Sequence, residues 1–215
     1  MTKRLAVLLL SLVIVSCAPV AHFASLPADY LGWSIGYTAP PYMEVWIETI
    51  DVEDVNGRLF RHIGSGTASI AYSGDPAGWR PPRTLGGGRL VRGAALPKHM
   101  YVRWQSLVEP QTYHATFDVP ERARQLMLER EKREITQAWD YRSYLILDLA
   151  PGGWVKAWIR GPAGDKYEVL CEHAEIEAKG PYEGRSGGRH RPLTDRAAPY
   201  VAAHPIPYDS WNCAR

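Results

Sequence analysis

Apolar and polar positions alternate with the two-residue period of half-buried strands through most of the chain. Met100, Val102 and Trp104 alternate with Tyr101, Arg103 and Gln105, and Tyr113, Ala115 and Phe117 alternate with His114, Thr116 and Asp118. The stretch 42–50 is dense in β-branched and aromatic residues, and 67–72 repeats the signal more briefly. Three further strands are predicted over 144–149, 155–160 and 167–176, with turns at 151–153 and 161–165 rich in glycine and proline. The segment 74–88, with Pro76, Pro81, Pro82 and three consecutive glycines, reads as a long loop. One stretch breaks the strand pattern. Asp118 stands three residues before Glu121 in a capping-box-like start, Pro120 suits a first turn, and good helix formers continue to Trp139. Glu129 with Arg133 and Arg130 with Glu134 are spaced to pair across one helical turn, while the apolar content is thin, so a solvated helix on a sheet edge is expected. The pattern as a whole predicts a mainly β, antiparallel sandwich-like single domain over 31–215 with one principal helix at about 119–139.

The start of the chain follows a different rule. Lys3 and Arg4 precede an apolar run over 5–15, too short to span a bilayer and ordered like a secretory signal. Ile14, Val15, Ser16 and Cys17 then match a permissive bacterial lipobox, which makes 1–16 a signal peptide, Cys17 the lipid-attachment residue and 17–30 the lipidated cysteine with its tether. The alternative is an ordinary signal peptide with an incidental cysteine. Several acyl chains on Cys17 bury far more methylenes than the single chain that binds membranes marginally. Ala18 follows without an Asp, which by resemblance to the bacterial lipoprotein sorting rule implies the outer membrane with a periplasm-facing anchor. The remaining Cys171 and Cys213 form an even pair in an exported chain, where a disulfide can persist. Two free thiols, or a metal site shared with His173, are the alternatives, and no second ligand pair supports the metal.

Composition narrows the function. The 215 residues carry 25 Lys and Arg against 23 Asp and Glu, and loss of Lys3 and Arg4 with the signal segment leaves the two signs equal. Such a chain has no basic excess for neutralising phosphates, so no nucleic-acid partner is expected. Eight Trp and twelve Tyr against three Phe favour half-buried strands and interfaces. Gly32, Trp33, Ser34, Ile35 and Gly36 match the G-x-S-x-G pattern of a hydrolase nucleophile, but neither a preceding strand nor a following helix is in place. No metal-binding histidine spacing, phosphate loop or dinucleotide fingerprint occurs, so no cofactor or metal is expected. Asp51 and Asp54 read as solvated loop carboxylates. In the glycine-rich stretch 180–192, Arg185, Arg189, His190 and Arg191 offer an anion-binding cluster, or else the solvated charges of a plain loop.

Several ordered motifs carry a resemblance. Leu96 and Pro97, then VRWQSLVE over 102–109 with Gln111, Thr112 and Tyr113, precede the Val119–Pro120 helix start; LAPGG over 149–153 leads to Val155, Lys156, Trp158 and RGP over 160–162; GPY over 180–182 and IPYDSW over 206–211 close the set. Together they resemble the bacterial lipoprotein family catalogued as domain of unknown function 2931, over about 33–211. The resemblance implies no catalytic residues. It implies instead a lipoprotein of the kind placed beside type six secretion effectors of the phospholipase class and proposed to confer immunity. Such a protein occludes the effector with aromatic anchors and a polar rim. Trp33, Trp79, Trp154 and Trp211, with Arg185, Arg189 and Arg191, are the candidate interface residues. The competing expectations are an envelope structural or accessory lipoprotein and a serine esterase using Ser34.

Overall fold

The computed structural model describes residues 26–82 and 88–213; the signal segment and Cys17 lie outside the described residues. Two five-stranded sheets face each other. The first has the order β11-β10-β9-β1-β4, formed by Lys166–His173, Trp154–Arg160, Tyr144–Ala150, Trp33–Thr38 and Arg89–Val91. The second has the order β12-β6-β5-β2-β3, formed by Glu175–Ile176, Gln111–Asp118, Pro97–Ser106, Val45–Asp54 and Leu59–Thr67. All pairs are antiparallel except β1 with β9, which run parallel; β2, β3, β5 and β6 of the second sheet lie between them in sequence. The inward residues of each strand make the core: Trp33, Ile35 and Tyr37 of β1 and Leu145, Leu147 and Leu149 of β9 meet Ile47, Ile50, Val102 and Trp104 of the second sheet. Alternation along each strand thus fills one face, as the two-residue period requires.

Two predicted strands change sheets. Over 67–72 only Thr67 belongs to β3; Ala68 N then bonds Val45 O of the second sheet, whereas Ser69 N bonds Tyr37 O of the first. The segment 167–176 divides in the same way at Ala174, whose N–H reaches Gly153 O between β11 and β12. An uninterrupted strand cannot serve two sheets, so each becomes a corner.

The predicted helix over 119–139 is cut short. Helix α1 spans Glu121–Leu128 and buries Ala123, Leu126 and Met127 against the core. Continuing that stripe reaches Arg130, Glu131 and Glu134, which offer nothing to bury. Glu129 therefore turns extended, and β7 (Arg130–Lys132) pairs with β8 (Trp139–Tyr141) as a separate hairpin. The charges expected to pair along the helix pair elsewhere: Arg142 binds Glu129 and Glu131, and Arg133 binds Asp140. Asp118 does not cap α1 either; it is held by His99, its cross-strand partner.

Asp51 and Asp54 also depart from expectation, since both lie in β2. Asp54 is fully buried and accepts the backbone N–H groups of Asn56, Arg58 and Ala95, so it closes the β2–β3 turn. Residues 29 and 30, expected in the tether, pack on the fold: Asp29 accepts from Tyr141 Oη and Tyr30 is buried 4.9 Å from the Tyr141 ring. At the other end a second small core gathers Met43, Val108, Ala150 and Trp211 with Tyr200 and Val201 of helix α2 (Ala198–Ala203). The Cys171–Cys213 disulfide fastens this C-terminal lobe to β11. Among the described residues no helix is long and apolar enough to cross a membrane.

Candidate interaction surface

The glycine-rich segment after β12 lies across the outer face of the second sheet, and buried polar groups hold it there. A register shift in β2 between Ile47 and Thr49 makes Glu48 an extra residue of the strand, and its carboxylate is buried in the outer layer. Arg103 Nε donates to Glu48 Oε2 at 2.6 Å and Gln105 Nε2 to Glu48 Oε1 at 2.8 Å. Tyr182 N donates to both Glu48 oxygens at 2.8 and 3.0 Å. Arg103 Nη1 reaches Glu183 at 2.8 Å, and Arg191 N donates to Gln105 Oε1 at 2.8 Å. Further along, Thr194 N donates to Glu44 Oε2 at 2.8 Å and Tyr72 Oη to Glu44 Oε1 at 2.6 Å.

Burial works against the Arg103 charge, but its bonds to Glu48 prevail and raise its pKa. The same guanidinium lowers the pKa of Glu183. Burial lowers the pKa of His190, which sits 3.1 Å from Thr112 Oγ1. Tyr182 and Glu183 adopt left-handed backbone, at φ of 54° and 57°, a conformation uncommon for residues with a Cβ and fixed here by these bonds. The result is a strap with a set backbone and exposed side chains. Arg185 and Arg189 are exposed, and the Arg191 guanidinium lies 3.4 Å from the centroid of the Trp46 ring. The glycine-rich stretch is therefore not a plain solvent loop, and Arg185 and Arg191 both bond Tyr182.

The four tryptophans named as anchors divide. Trp33 and Trp211 are fully buried, and their indoles donate to Ala95 O at 2.9 Å and Pro76 O at 3.2 Å. Both are core residues and cannot meet a partner. Trp79 and Trp154 are half-buried on the C-terminal lobe; Trp79 Nε1 donates to Trp211 O, and Trp154 lies edge-on to His173. The exposed apolar residues are different ones. Ile135 and Trp139 stand out from the β7–β8 hairpin, 92% and 58% exposed, with Leu31 and Leu128 also open to solvent. The helix expected to run to residue 139 covered this hairpin, so neither Ile135 nor Trp139 stood among the candidate interface residues.

Ser34 lies within β1, between Tyr144 of β9 and Leu90 of β4, whereas the nucleophile of the matched pattern sits on a turn between strand and helix. His173 bonds Gly152 O and faces Trp154, and no metal-holding group of three or more His, Cys, Asp or Glu exists among the described residues.

On the outer face of the first sheet, Thr38, Asp148 and Lys156 stand in one cross-strand row. All three are more than nine-tenths buried. Lys156 Nζ donates to Glu168 at 2.9 Å and lies 5.3 and 5.7 Å from the rings of Trp79 and Trp158. Asp148 Oδ1 and Thr38 Oγ1 have no hydrogen-bond partner among the described residues. Burial, opposed by Thr38 and Lys156, pushes the Asp148 carboxyl up to about 7. A cleft of about 370 Å³ opens over this row between 39–41 and 69–82. The sequence held one signal of it: a single acid in the apolar run YLILDLA.

The family model described as protein of unknown function DUF2931 matches residues 20–209. The chain belongs to this family. No curated protein and no solved structure matches it. The DUF2931 motifs quoted above meet in space. Arg103 and Gln105 of VRWQSLVE bind Glu48 and the strap, whose GPY supplies Tyr182. Glu109 accepts from Gly152 N of LAPGG at 2.9 Å, and burial together with Glu109 pushes the Tyr208 hydroxyl of IPYDSW up to about 12. Gly153, at φ 80°, gives way to Tyr113, since a Cβ there would lie 2.9 Å from Tyr113 Cδ1. Gly161 of RGP faces the Glu131 carboxylate so closely that a Cβ has no room. These motifs lock segments together.

Proposed function

We propose that this DUF2931 protein is an outer-membrane-anchored, periplasm-facing lipoprotein that binds and neutralises a secreted phospholipase-type effector by occlusion. The observation that carries the reading is the set strap. Arg185, Arg189 and Arg191 are presented on backbone already fixed by Glu48, Gln105 and Glu44, so little conformational entropy is lost when a partner engages them. The protruding Trp139 and Ile135 supply the apolar contact that a purely charged patch lacks. The signal segment, the lipobox at Cys17 and the sorting position Ala18 support an address where such an effector acts. Stoichiometric occlusion needs affinity and no turnover, which is consistent with Ser34 sitting in mid-strand.

The test expresses a secreted phospholipase effector, chosen from the genes that flank this one, in the periplasm with and without the full chain. Protection that follows one-to-one complex formation and survives Ser34→Ala supports occlusion. Trp139→Ala with Ile135→Asp, or triple replacement of the three arginines by alanine, should then weaken the complex at least tenfold. Absence of both complex and protection, or lipid-ester hydrolysis that disappears in Ser34→Ala, overturns the reading. Labelling with a clickable palmitate should mark the wild type and not Cys17→Ser, which tests the anchor separately.

A further inference from the structure

The cleft over the first sheet has properties that occlusion by the strap and hairpin does not use. Its floor carries a buried carboxyl, Asp148, and a buried hydroxyl, Thr38, each with an oxygen that no described residue satisfies. Buried polar atoms in folded proteins are nearly always paired, so two such atoms beside one open cavity mark a place where a partner is missing. Pro40, Pro41, Ile70 and Pro81 give its walls an apolar stretch, beside the polar Ser69 and Ser73 and the Arg80 side chain.

The charges around the cleft settle the sign of what fits. Lys156 of β10 is bound to Glu168 of β11 at 2.9 Å. At the rim, Arg80 lies 4.0 Å from Asp75. Each of these cations has an anion of its own, so among the described residues an ionised Asp148 is offset only by Thr38 and by its share of the Lys156 charge. A bare metal ion requires several oxygen ligands, whereas one carboxyl, one hydroxyl and proline walls suit a cation with an apolar stem. We infer that this cleft binds a monovalent organic cation, an alkylguanidinium or alkylammonium, with its charged head against Asp148 and its stem along the proline walls. The site stands apart from the effector-binding reading and survives its failure. The cation has two possible sources, a free small molecule or a basic side chain of another protein, and both present the same chemistry.

Binding requires the ionised carboxyl, so affinity follows the fraction of Asp148 that has lost its proton. With burial holding that carboxyl near 7, affinity for n-butylguanidinium should be about tenfold tighter at pH 8 than at pH 6. Calorimetric titration of the full chain in detergent with n-butylguanidinium, and with pentan-1-ol as the neutral control, measures this. Pentan-1-ol should bind at least tenfold more weakly, and Asp148→Asn should abolish the pH dependence. Independently of any variant, the carboxyl resonance of ¹³C-labelled Asp148 in the wild type should shift its titration midpoint down by about one unit at a guanidinium concentration tenfold above Kd. N-acetyl-arginine-methylamide distinguishes the sources: binding comparable to butylguanidinium admits a protein side chain, and binding of the free cation alone restricts the site to small molecules. Equal affinity at both pH values, equal binding of pentan-1-ol, or an unmoved Asp148 midpoint overturns the inference.

Discussion

The two outer faces of the sandwich both bury charged residues, and they treat them in opposite ways. On the second sheet Glu48 receives Arg103, Gln105 and the Tyr182 N–H, so its carboxylate is ringed by donors. On the first sheet Asp148 has the same depth, yet one oxygen has no hydrogen-bond partner among the described residues and its proton is held to near neutrality. Burial alone therefore does not separate a fastening from a site. The separation comes from counting partners: a satisfied buried ion fixes a segment, and an unsatisfied one leaves an interaction still to be made.

The largest effect should come from breaking the satisfied face. Arg103→Ala leaves Glu48 buried without its cation, which costs about 3–5 kcal/mol. Urea denaturation should register that loss, together with release of the strap and proteolysis near Arg185. If Arg103→Ala melts like the wild type, the ion pair is not what holds the strap. Next in size, Cys171→Ser with Cys213→Ser opens a loop with a sequence separation of 42 residues. The chain-closure model values that loop at roughly 4 kcal/mol. Unlike Arg103→Ala, it should loosen the C-terminal lobe around Trp211 first, read as Trp fluorescence changing before the sheets unfold.

The unsatisfied face should answer with the opposite sign. The folded pKa of Asp148, about 7, lies above its ordinary value of 3.8. Between those values the folded state holds a proton that the unfolded state has released, so stability falls as pH rises from about 4 to about 7 and is level above that. The ceiling on this loss is on the order of 4 kcal/mol, reduced by whatever water enters the cleft. Asp148→Asn cannot ionise. Its advantage over the wild type should be largest at pH 8 and shrink steadily toward pH 4 in urea melts, and parallel curves for the two proteins would show that the carboxyl does not charge in place. A substitution that stabilises while removing a binding group has the signature of a residue kept for function.

Much of this fold is legible in period alone, and the failures share one cause. Strands β5, β6, β9 and β10 lie where alternation puts them, because each stays in one sheet along its length. The segments around Ser69 and Ala174 are apolar enough for strands, yet each passes from one sheet to the other, and nothing local encodes that passage. Helix α1 starts near its signal, but its end depends on Arg142, a residue beyond the segment that recruits Glu129 and Glu131. The candidate site follows the same division. Even cysteine count was enough to pair Cys171 with Cys213, whereas tryptophan identity carried no information on exposure, and Trp33 and Trp211 proved to be core. Asp148 stood as a lone acid in an apolar run, a signal of burial that leaves the partner count open, whereas Glu48 is one of four acids in β2.

The smallest expected change in stability sharpens the comparison most, because it asks which part of the strap belongs to the fold. Arg191 is attached through backbone and side chain: its N–H donates to Gln105, while its guanidinium covers Trp46 and Nε donates to the Tyr182 hydroxyl at 3.4 Å. Arg191→Ala keeps the backbone attachment and removes the side-chain ones, an exposed cation–π contact worth about 0.5–1 kcal/mol and a long exposed hydrogen bond to Tyr182. Gln105→Leu does the reverse: it removes the buried acceptor and strands an N–H that is otherwise satisfied, costing about 1–3 kcal/mol. If the strap is a scaffold and its arginines are the binding groups, the two variants should cross over. Gln105→Leu should unfold earlier, while Arg191→Ala should melt close to the wild type and bind the effector more weakly. Thermal melts and binding titrations on the same two proteins measure both quantities. Arg191→Ala losing as much stability as Gln105→Leu, with no loss of binding, would place the arginine among the fastenings and leave the second face without a free surface.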